Sequence, residues 1–180
     1  MKIYLIGYKC SGKTTLGKIL APKLGFQFMD LDDEIEKYYK VSIPDLYNKF
    51  GESKFRKTEQ EVFHKLPDNE NIILATGGGF ARWEDNINAL FNTGLTIYIQ
   101  EKSEILFQRM NKVSTQRPVL HGMQYQPLWD YLVELRLKND HIYEKAHITF
   151  DVHSTSTTQL EYMIKGILNS SRFNTLQQAM

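Results

Sequence analysis

The feature that most constrains the fold is a glycine-rich motif close to the start of the chain. Residues 7–14 read Gly-Tyr-Lys-Cys-Ser-Gly-Lys-Thr and satisfy the pattern G-x-x-x-x-G-K-[ST]. The motif directly follows a short apolar run at residues 3–6 and directly precedes a segment of helical periodicity. This placement predicts a loop whose backbone N–H groups, with the N-terminus of the next helix, bind the phosphates of a nucleotide. The alternative is a glycine turn that caps an ordinary helix.

The rest of the chain alternates apolar, β-branched runs with segments of helical periodicity, which is typical of a parallel sheet covered by helices. Strands are predicted at residues 3–6, 26–29, 71–75, 95–99 and 148–152. Helices are predicted at residues 16–24, 30–40, 42–51, 52–66, 83–91, 103–110, 127–143 and 154–168. We therefore expect a single three-layer α/β domain over residues 1–169, with a short parallel β-sheet flanked by helices. Residues 170–180 have little to bury and are expected to form a frayed C-terminal tail.

Composition and charge exclude several classes of function. The chain has 180 residues, of which 42% are hydrophobic, so it has enough apolar area to form a core. Its 22 Lys and Arg residues against 21 Asp and Glu residues give no field that would gather nucleic acid or an anionic membrane. No apolar run approaches the roughly 20 residues that span a bilayer. The five histidines show no metal-ligand spacing and are expected at the surface or in packing.

The single cysteine, Cys10, excludes an intrachain disulfide framework and fits a reducing compartment. We expect a cytoplasmic monomer with a small-molecule substrate and with neither a nucleic-acid nor a membrane partner. Within the loop, Cys10 is expected to fill space, with a reactive thiol as the alternative.

The loop residues have distinct expected roles toward a bound nucleotide. Gly7 and Gly12 let the backbone approach the phosphates closely. Lys13 brings a positive charge beside the β and γ phosphates, and the Thr14 hydroxyl is a suitable ligand for Mg²⁺. The nucleotide contacts expected from the loop are Gly7, Lys9, Cys10, Ser11, Gly12, Lys13, Thr14 and Thr15.

Two carboxylates, Asp30 and Asp32, follow the second predicted strand. Ligands of an open α/β sheet bind at the carboxyl ends of its strands, so both acids are expected to face the cleft. One carboxylate suits the metal shell and the other suits an acceptor hydroxyl. The alternative is a pair of helix N-cap acids favoured by the helix dipole.

Three further sequence features downstream are candidates for contact with a ligand: a charged pair, a run of glycines and a long polar segment. Arg56 and Glu59 are three residues apart and share a helix face, where the simpler interpretation is a surface ion pair. The glycine run at residues 77–79 follows a buried strand, so its backbone can approach a ligand, unless it is only a flexible turn. The polar segment at residues 111–126 exceeds the usual loop length, and such segments are often active-site covers.

Together these features resemble the shikimate kinases, a family of small enzymes similar to nucleoside monophosphate kinases. The family patterns F-x-D-x-D-x-x-I-E, F-R-x-x-E and Gly-Gly-Gly match residues 28–36, 55–59 and 77–79. The resemblance covers most of the chain and implies a P-loop kinase fold with a mobile lid at about residues 111–126 and acceptor-binding helices at about residues 31–66. It also implies ATP and Mg²⁺ as cofactors and phosphorylation of the 3-hydroxyl of shikimate, a step in aromatic amino-acid biosynthesis.

The resemblance also assigns roles to residues. It implies that Asp30, with Thr14, supports the Mg²⁺ shell, and that Asp32 holds the acceptor hydroxyls and is placed to take the proton. Arg56 would bind the acceptor carboxylate. Acceptor contacts are expected from Asp32, Arg56, Glu59, Gly77, Gly78 and Gly79.

Two arginines outside these motifs gain roles from the same resemblance. Arg109 matches the arginine that stacks on adenine, the alternative being an ordinary surface arginine. Arg117, in the sequence Gln-Arg-Pro-Val-Leu, matches a lid arginine and would be the catalytic cation. The catalytic residues that the resemblance implies are therefore Lys13, Asp32 and Arg117. A positioned arginine is worth about 10³ to 10⁵ in the rate of phosphoryl transfer.

One departure from the family concerns the pattern Arg-x-Pro-x-Tyr, whose arginine binds the acceptor carboxylate. Counting back from Tyr143 places Asn139 at the arginine position and His141 at the proline position. Arg136 lies nearly one helical turn earlier and is the expected substitute, with an ordinary helix-surface ion pair as the alternative. Both Arg136 and Asn139 are therefore included among the expected acceptor contacts. The departure leaves two other functions open: a kinase of another small polyol acid, such as gluconate, and a nucleotide-binding regulatory protein without turnover.

Overall fold

The computed structural model describes residues 1–68, 70–113 and 125–170, and within these ranges five strands and seven α-helices form three layers. The strands are β1 (Lys2–Ile6), β2 (Gln27–Asp30), β3 (Ile72–Ala75), β4 (Leu95–Gln100) and β5 (Ile148–Asp151). The helices are α1 (Lys13–Leu24), α2 (Leu31–Tyr39), α3 (Ile43–Phe63), α4 (Glu84–Thr93), α5 (Ser103–Val113), α6 (Tyr125–Tyr143) and α7 (Thr157–Asn169). The predicted three-layer α/β fold with a short parallel sheet is confirmed.

The sheet is parallel throughout and has the strand order β2-β3-β1-β4-β5. Strand β1 is central, with Ile3 paired to Ile73 of β3 on one side and to Leu95 of β4 on the other. After β1 the chain forms β2 and β3 on one side of this central strand, and it then crosses over to form β4 and β5 on the other side. Ligands of such sheets bind outside the carboxyl ends of the strands at this reversal, which is where residues 7–14 lie.

Both faces of the sheet are covered, because successive side chains of a strand point to opposite faces. Ile3 and Leu5 face α1 and α7, whereas Tyr4 and Ile6 face the layer formed by the other helices. All four side chains are fully buried. The strand sequences are therefore apolar almost throughout, as expected for a sheet buried on both sides.

Helix α3 contains a break that shapes the site. Gly51 has φ 75° and ψ 175°, so the backbone leaves the helical conformation there, close to the predicted boundary between two helices. Glycine adopts this positive φ without steric penalty. Before the break only Leu46 is buried, whereas Arg56 and Glu59 are among the buried residues after it.

The ends of the predicted lid are helical, in contrast to the expectation for residues 111–126. Helix α5 continues to Val113, and α6 begins at Tyr125. Pro127 is compatible with the first turn of α6 because a helix's first N–H groups have no intrahelical acceptor. Arg117 and residues 171–180 lie outside the described residues.

A short 3₁₀ helix at Phe80–Arg82, directly after the glycine run, was not predicted from the sequence because three residues show no periodicity.

In the described ranges, no helix combines the length and the apolar character needed to cross a membrane.

Candidate active site

The phosphate-binding loop connects β1 to α1 and has an unusual backbone. Gly7, Cys10 and Gly12 all have positive φ, at 137°, 63° and 100°. The Lys13 ammonium donates to the carbonyl oxygens of Gly7 at 2.9 Å and Tyr8 at 2.7 Å. The lysine is therefore held against the loop, and helix α1 begins directly at its end.

A cavity of about 830 Å³ opens above this loop. Seven of the eight loop residues expected to contact the nucleotide line it, namely Lys9, Cys10, Ser11, Gly12, Lys13, Thr14 and Thr15, and so does Arg109. Gly7 lies beneath the cavity at the end of β1, where an added Cβ would be 2.9 Å from the Ile99 carbonyl oxygen. The cavity size is within the range of small-molecule sites.

Arg109 is fixed beside the loop by two contacts. Its Nη1 donates to the Cys10 carbonyl at 3.0 Å, and its Nη2 lies 3.1 Å from Glu101 Oε2. The second Glu101 oxygen pairs with His153 Nε2. Glu101 and His153 both line the cavity, so the expectation of a surface or packing role for His153 is incomplete. Sequence reasoning missed both, although each comes soon after a strand at the carboxyl edge of the sheet.

Asp30 connects the loop with the start of α2. Its Oδ2 accepts a hydrogen bond from the Thr14 hydroxyl at 2.7 Å, and its Oδ1 accepts from the Asp32 backbone N–H at 3.1 Å. Asp30 is thus the N-cap of α2, as the alternative interpretation held, and it also contacts the loop. The hydroxyl and the carboxylate together offer oxygen ligands of the kind that Mg²⁺ prefers.

A second cavity, of about 390 Å³, adjoins the first and lies against helices α2 and α3. The acceptor residues Asp32, Arg56, Glu59, Gly77, Gly78 and Gly79 all line it. Sequence reasoning missed part of its wall, namely Asp33, Glu36, Ile43, Pro44, Tyr47 and Phe55. The two cavities share Lys9, Thr14, Asp30, Asp32, Gly77 and Gly78. Molecules bound in both would therefore meet beside Asp32.

Arg56 is buried and paired with two carboxylates of its own helix. Its Nη1 donates to Glu59 Oε2 at 2.6 Å, and its Nη2 donates to Glu52 Oε1 at 3.0 Å. Burial opposes its charge, but the two carboxylates more than offset this and raise the pKa of Arg56. The predicted ion pair is present, and both members line the second cavity.

Glu59 is the most buried acid of this cavity, with its side chain 1% exposed. Burial raises its pKa to about 7, although the Arg56 guanidinium opposes the change; the nearby Asp32 charge raises it further. The carboxyl group therefore gains or loses a proton near neutral pH.

The glycine run packs directly against these charged groups. A Cβ at Gly77 would lie 2.8 Å from Glu59 Oε1, and a Cβ at Gly79 would lie 2.9 Å from Arg56 Nη2. Close packing, rather than flexibility, therefore accounts for the absence of side chains here.

Arg136 does not line the second cavity and instead forms the ion pair within its helix that was the alternative interpretation. Its Nε donates to Asp140 Oδ2 at 3.0 Å, and its Nη1 donates to the Glu101 carbonyl at 3.1 Å and the Ser103 hydroxyl at 3.0 Å. Asn139 is buried and donates to a carbonyl of its own helix. Neither Arg136 nor Asn139 is among the described residues lining the cavities. These three partners hold the Arg136 side chain at the junction of β4 and α5.

Comparisons with known proteins agree on one family. The family model described as "Shikimate kinase" matches residues 9–169. A curated shikimate kinase from Aquifex aeolicus is 38% identical over 98% of this chain and 99% of its own. The crystal structure of shikimate kinase from Bacteroides thetaiotaomicron has a TM-score of 0.82 at 30% identity, covering 94% of this chain and 99% of that one. The Acinetobacter baumannii enzyme in complex with shikimate has a TM-score of 0.77 at 32% identity, covering 93% and 92%.

Proposed function

The chain belongs to the shikimate kinase family, and from this premise we propose that it transfers the γ-phosphoryl group of ATP to the 3-hydroxyl of shikimate. The observation that carries the proposal is the common wall of the two cavities. A larger cavity lined by residues 9–15 and a smaller one lined by Asp32 and Arg56 meet at the carboxyl edge of the sheet. This arrangement brings a donor phosphate and an acceptor hydroxyl together and reduces the entropic barrier of the reaction.

The larger cavity suits ATP. The loop amides and the N-terminus of α1 face the phosphates, and Lys13 is placed to neutralise charge on the β and γ phosphates. Arg109, fixed by Glu101, is proposed to contact the adenine. Thr14 and Asp30 would hold Mg²⁺, together with phosphate oxygens and water, because protein sites for this ion use few side chains. The ion would neutralise charge on the transferred group when bound.

The smaller cavity suits a compact acceptor that carries hydroxyl and carboxylate groups. We assign hydroxyl binding and proton acceptance to Asp32, because it lies where the two cavities meet. Arg56 is proposed to bind the carboxylate, and the backbone of the glycine run completes the wall. In the acceptor complex reported for the Acinetobacter baumannii enzyme the ligand is shikimate, which has this chemistry.

The remaining assignments rest on the sequence. We retain Arg117 as the proposed catalytic cation and the segment around it as the proposed lid. Residues 1–169 are proposed to act as one domain and as a monomer in the cytoplasm, without nucleic-acid or membrane partners. A molar mass near 21.0 kDa by light scattering would support the monomer, and twice that mass would contradict it.

The activity is tested by the release of ADP from ATP and Mg²⁺ with shikimate, with gluconate, and without an acceptor. We expect shikimate alone to accelerate ADP release, and NMR of the product to show phosphate on the 3-hydroxyl. A Lys13→Ala variant controls for contaminating kinases and should lose the acceleration. Equal rates with and without shikimate would contradict the proposal, and acceleration by gluconate alone would transfer the assignment to another polyol acid.

A further inference from the structure

Arg82 ends the short 3₁₀ helix after the glycine run, and its backbone is firmly anchored. Phe80 of the same turn is fully buried, and its ring lies 5.1 Å from that of Phe63. The Phe80 carbonyl accepts a hydrogen bond from the Asn86 side chain at 3.0 Å. The start of the Arg82 side chain is therefore fixed relative to the acceptor cavity.

The guanidinium of Arg82 is incompletely paired. Its Nε is buried and has no hydrogen-bond partner among the described residues. Its Nη2 lies 3.7 Å from Glu52 Oε1, which is beyond hydrogen-bond distance. A buried donor without a partner is unfavourable, so such a group in a folded protein calls for an explanation. A ligand that supplies an acceptor is one explanation.

The surroundings of Arg82 are those of the acceptor site. A small cavity of about 10 Å³ is lined by Lys9, Arg56, Gly78, Gly79, Arg82, Met110, Tyr131 and Leu135. Four of these residues, Lys9, Arg56, Gly78 and Gly79, also line the acceptor cavity. Arg82 thus lines a gap that adjoins the acceptor cavity on the side of α6. The gap holds about one water molecule, so it can take the edge of a ligand and not a separate ligand.

The charges favour an anionic ligand at this point. Arg56 already contacts two carboxylates, Glu52 and Glu59, so its positive charge is largely balanced before a ligand binds. Among the carboxylates of the described ranges, Arg82 approaches Glu52 alone, and that at a longer distance. A ligand carboxylate next to Arg56 would therefore be attracted mainly by Arg82, whose positive charge is less balanced by protein carboxylates. Arginine also presents a planar array of donors that suits a carboxylate.

We propose that Arg82 is a specificity-determining residue that binds the acceptor's carboxylate together with Arg56. In this chain it supplies the second guanidinium that neither Asn139 nor Arg136 provides. The inference rests on the proposed function, because the carboxylate it needs is that of shikimate.

The test compares the wild type with Arg82→Ala, Arg82→Gln and Arg82→Lys, using shikimate and its neutral methyl ester as acceptors. Losing a charged hydrogen bond should lower kcat/KM for shikimate by roughly 10- to 150-fold, mainly through KM. The loss should be much smaller for the ester, and Arg82→Lys should recover part of it. Lys138→Ala is a matched control, since it removes an exposed positive charge of α6 that lines neither cavity.

The readouts separate a binding role from a structural one. An unchanged KM for ATP and an unchanged Tm show that a variant is folded; if Arg82→Ala is unstable, the Gln and Lys variants carry the comparison. Equal losses for shikimate and its ester, or no loss for either, would overturn the inference. Titration calorimetry of shikimate binding gives the same comparison without turnover. A wild type that neither binds nor phosphorylates shikimate would instead overturn the proposed function, and this inference with it.

Discussion

Glu59 is an acid whose ionisation opposes folding, because burial raises its pKa to about 7 from an ordinary value of 4.5. Between these values the folded protein holds a proton that the unfolded chain releases. The free energy of unfolding should therefore decrease as the pH rises from about 4.5 to about 7. Above that range the Glu59 carboxyl should cause no further change. The neighbouring charges are those of Arg56, Asp32 and Lys9, and burial outweighs the attraction of Arg56.

We predict that Glu59→Gln removes this contribution to the pH dependence, because the amide cannot ionise yet still accepts from Arg56. The free energy of unfolding in urea, measured at pH 5 and pH 8, should fall less with pH in the variant than in the wild type. Glu61→Gln is the matched control on the same helix. The pKa of Glu61 is lowered by Lys65, so its effect lies below this pH range and the wild-type slope should persist. A Glu59→Gln slope equal to that of the wild type would show that Glu59 is ionised throughout.

At the scale of elements, the turn after β3 and the phosphate-binding loop lie in direct contact. A Cβ at Gly78 would collide with the Lys9 side chain and would lie 2.8 Å from the Lys9 backbone nitrogen. Because a backbone atom cannot rotate away, the substitution must separate the two elements that form the common wall of the cavities.

We predict that Gly78→Ala lowers stability by about 1–3 kcal/mol, the usual cost of overpacking. It should also raise KM for both ATP and shikimate. Gly166→Ala is the control: it lies in α7 with nothing within 4 Å of an added Cβ, and it should stabilise the helix by about 0.5–1 kcal/mol. Thermal unfolding and initial rates measure both variants. A Gly78→Ala enzyme with wild-type KM values would refute close packing as the reason for this glycine.

The same elements explain how far the sequence could lead. The phosphate-binding loop was predictable because eight consecutive residues set its geometry, and the pairing of Arg56 with Glu59 followed from helical spacing. Arg82 was missed because its three-residue turn shows no periodicity. The ion pair of Arg136 with Asp140 is the alternative that helical spacing offered, whereas its contacts with Glu101 and Ser103, which are distant in sequence, were beyond prediction. The strand order likewise depends on tertiary contacts.

At the scale of the whole molecule, the sheet separates two apolar clusters with different duties. One cluster, on the face covered by α1 and α7, includes the fully buried Ile164. The cluster on the opposite face includes Phe80, whose turn follows Gly79 of the acceptor cavity and carries Arg82 of the small adjoining cavity. Members of the first cluster, such as Leu16 and Phe150, line the nucleotide cavity, but none lines the acceptor cavity. Packing on the second face therefore determines the shape of the acceptor site more directly than packing on the first.

This division predicts different consequences for two core substitutions. Ile164→Ala should lower the free energy of unfolding by about 2–5 kcal/mol, as large-to-small changes in cores do, without changing KM for shikimate. Phe80→Leu should cost less, about 0.5–3 kcal/mol, yet raise that KM, because the turn that carries Arg82 loses its anchor. Urea unfolding and steady-state rates at a temperature where both variants are folded make the comparison. Ile164→Ala and Phe80→Leu would contradict this division if each raised KM for shikimate in the same proportion to the stability that it loses. Packing would then affect the acceptor site only through overall stability.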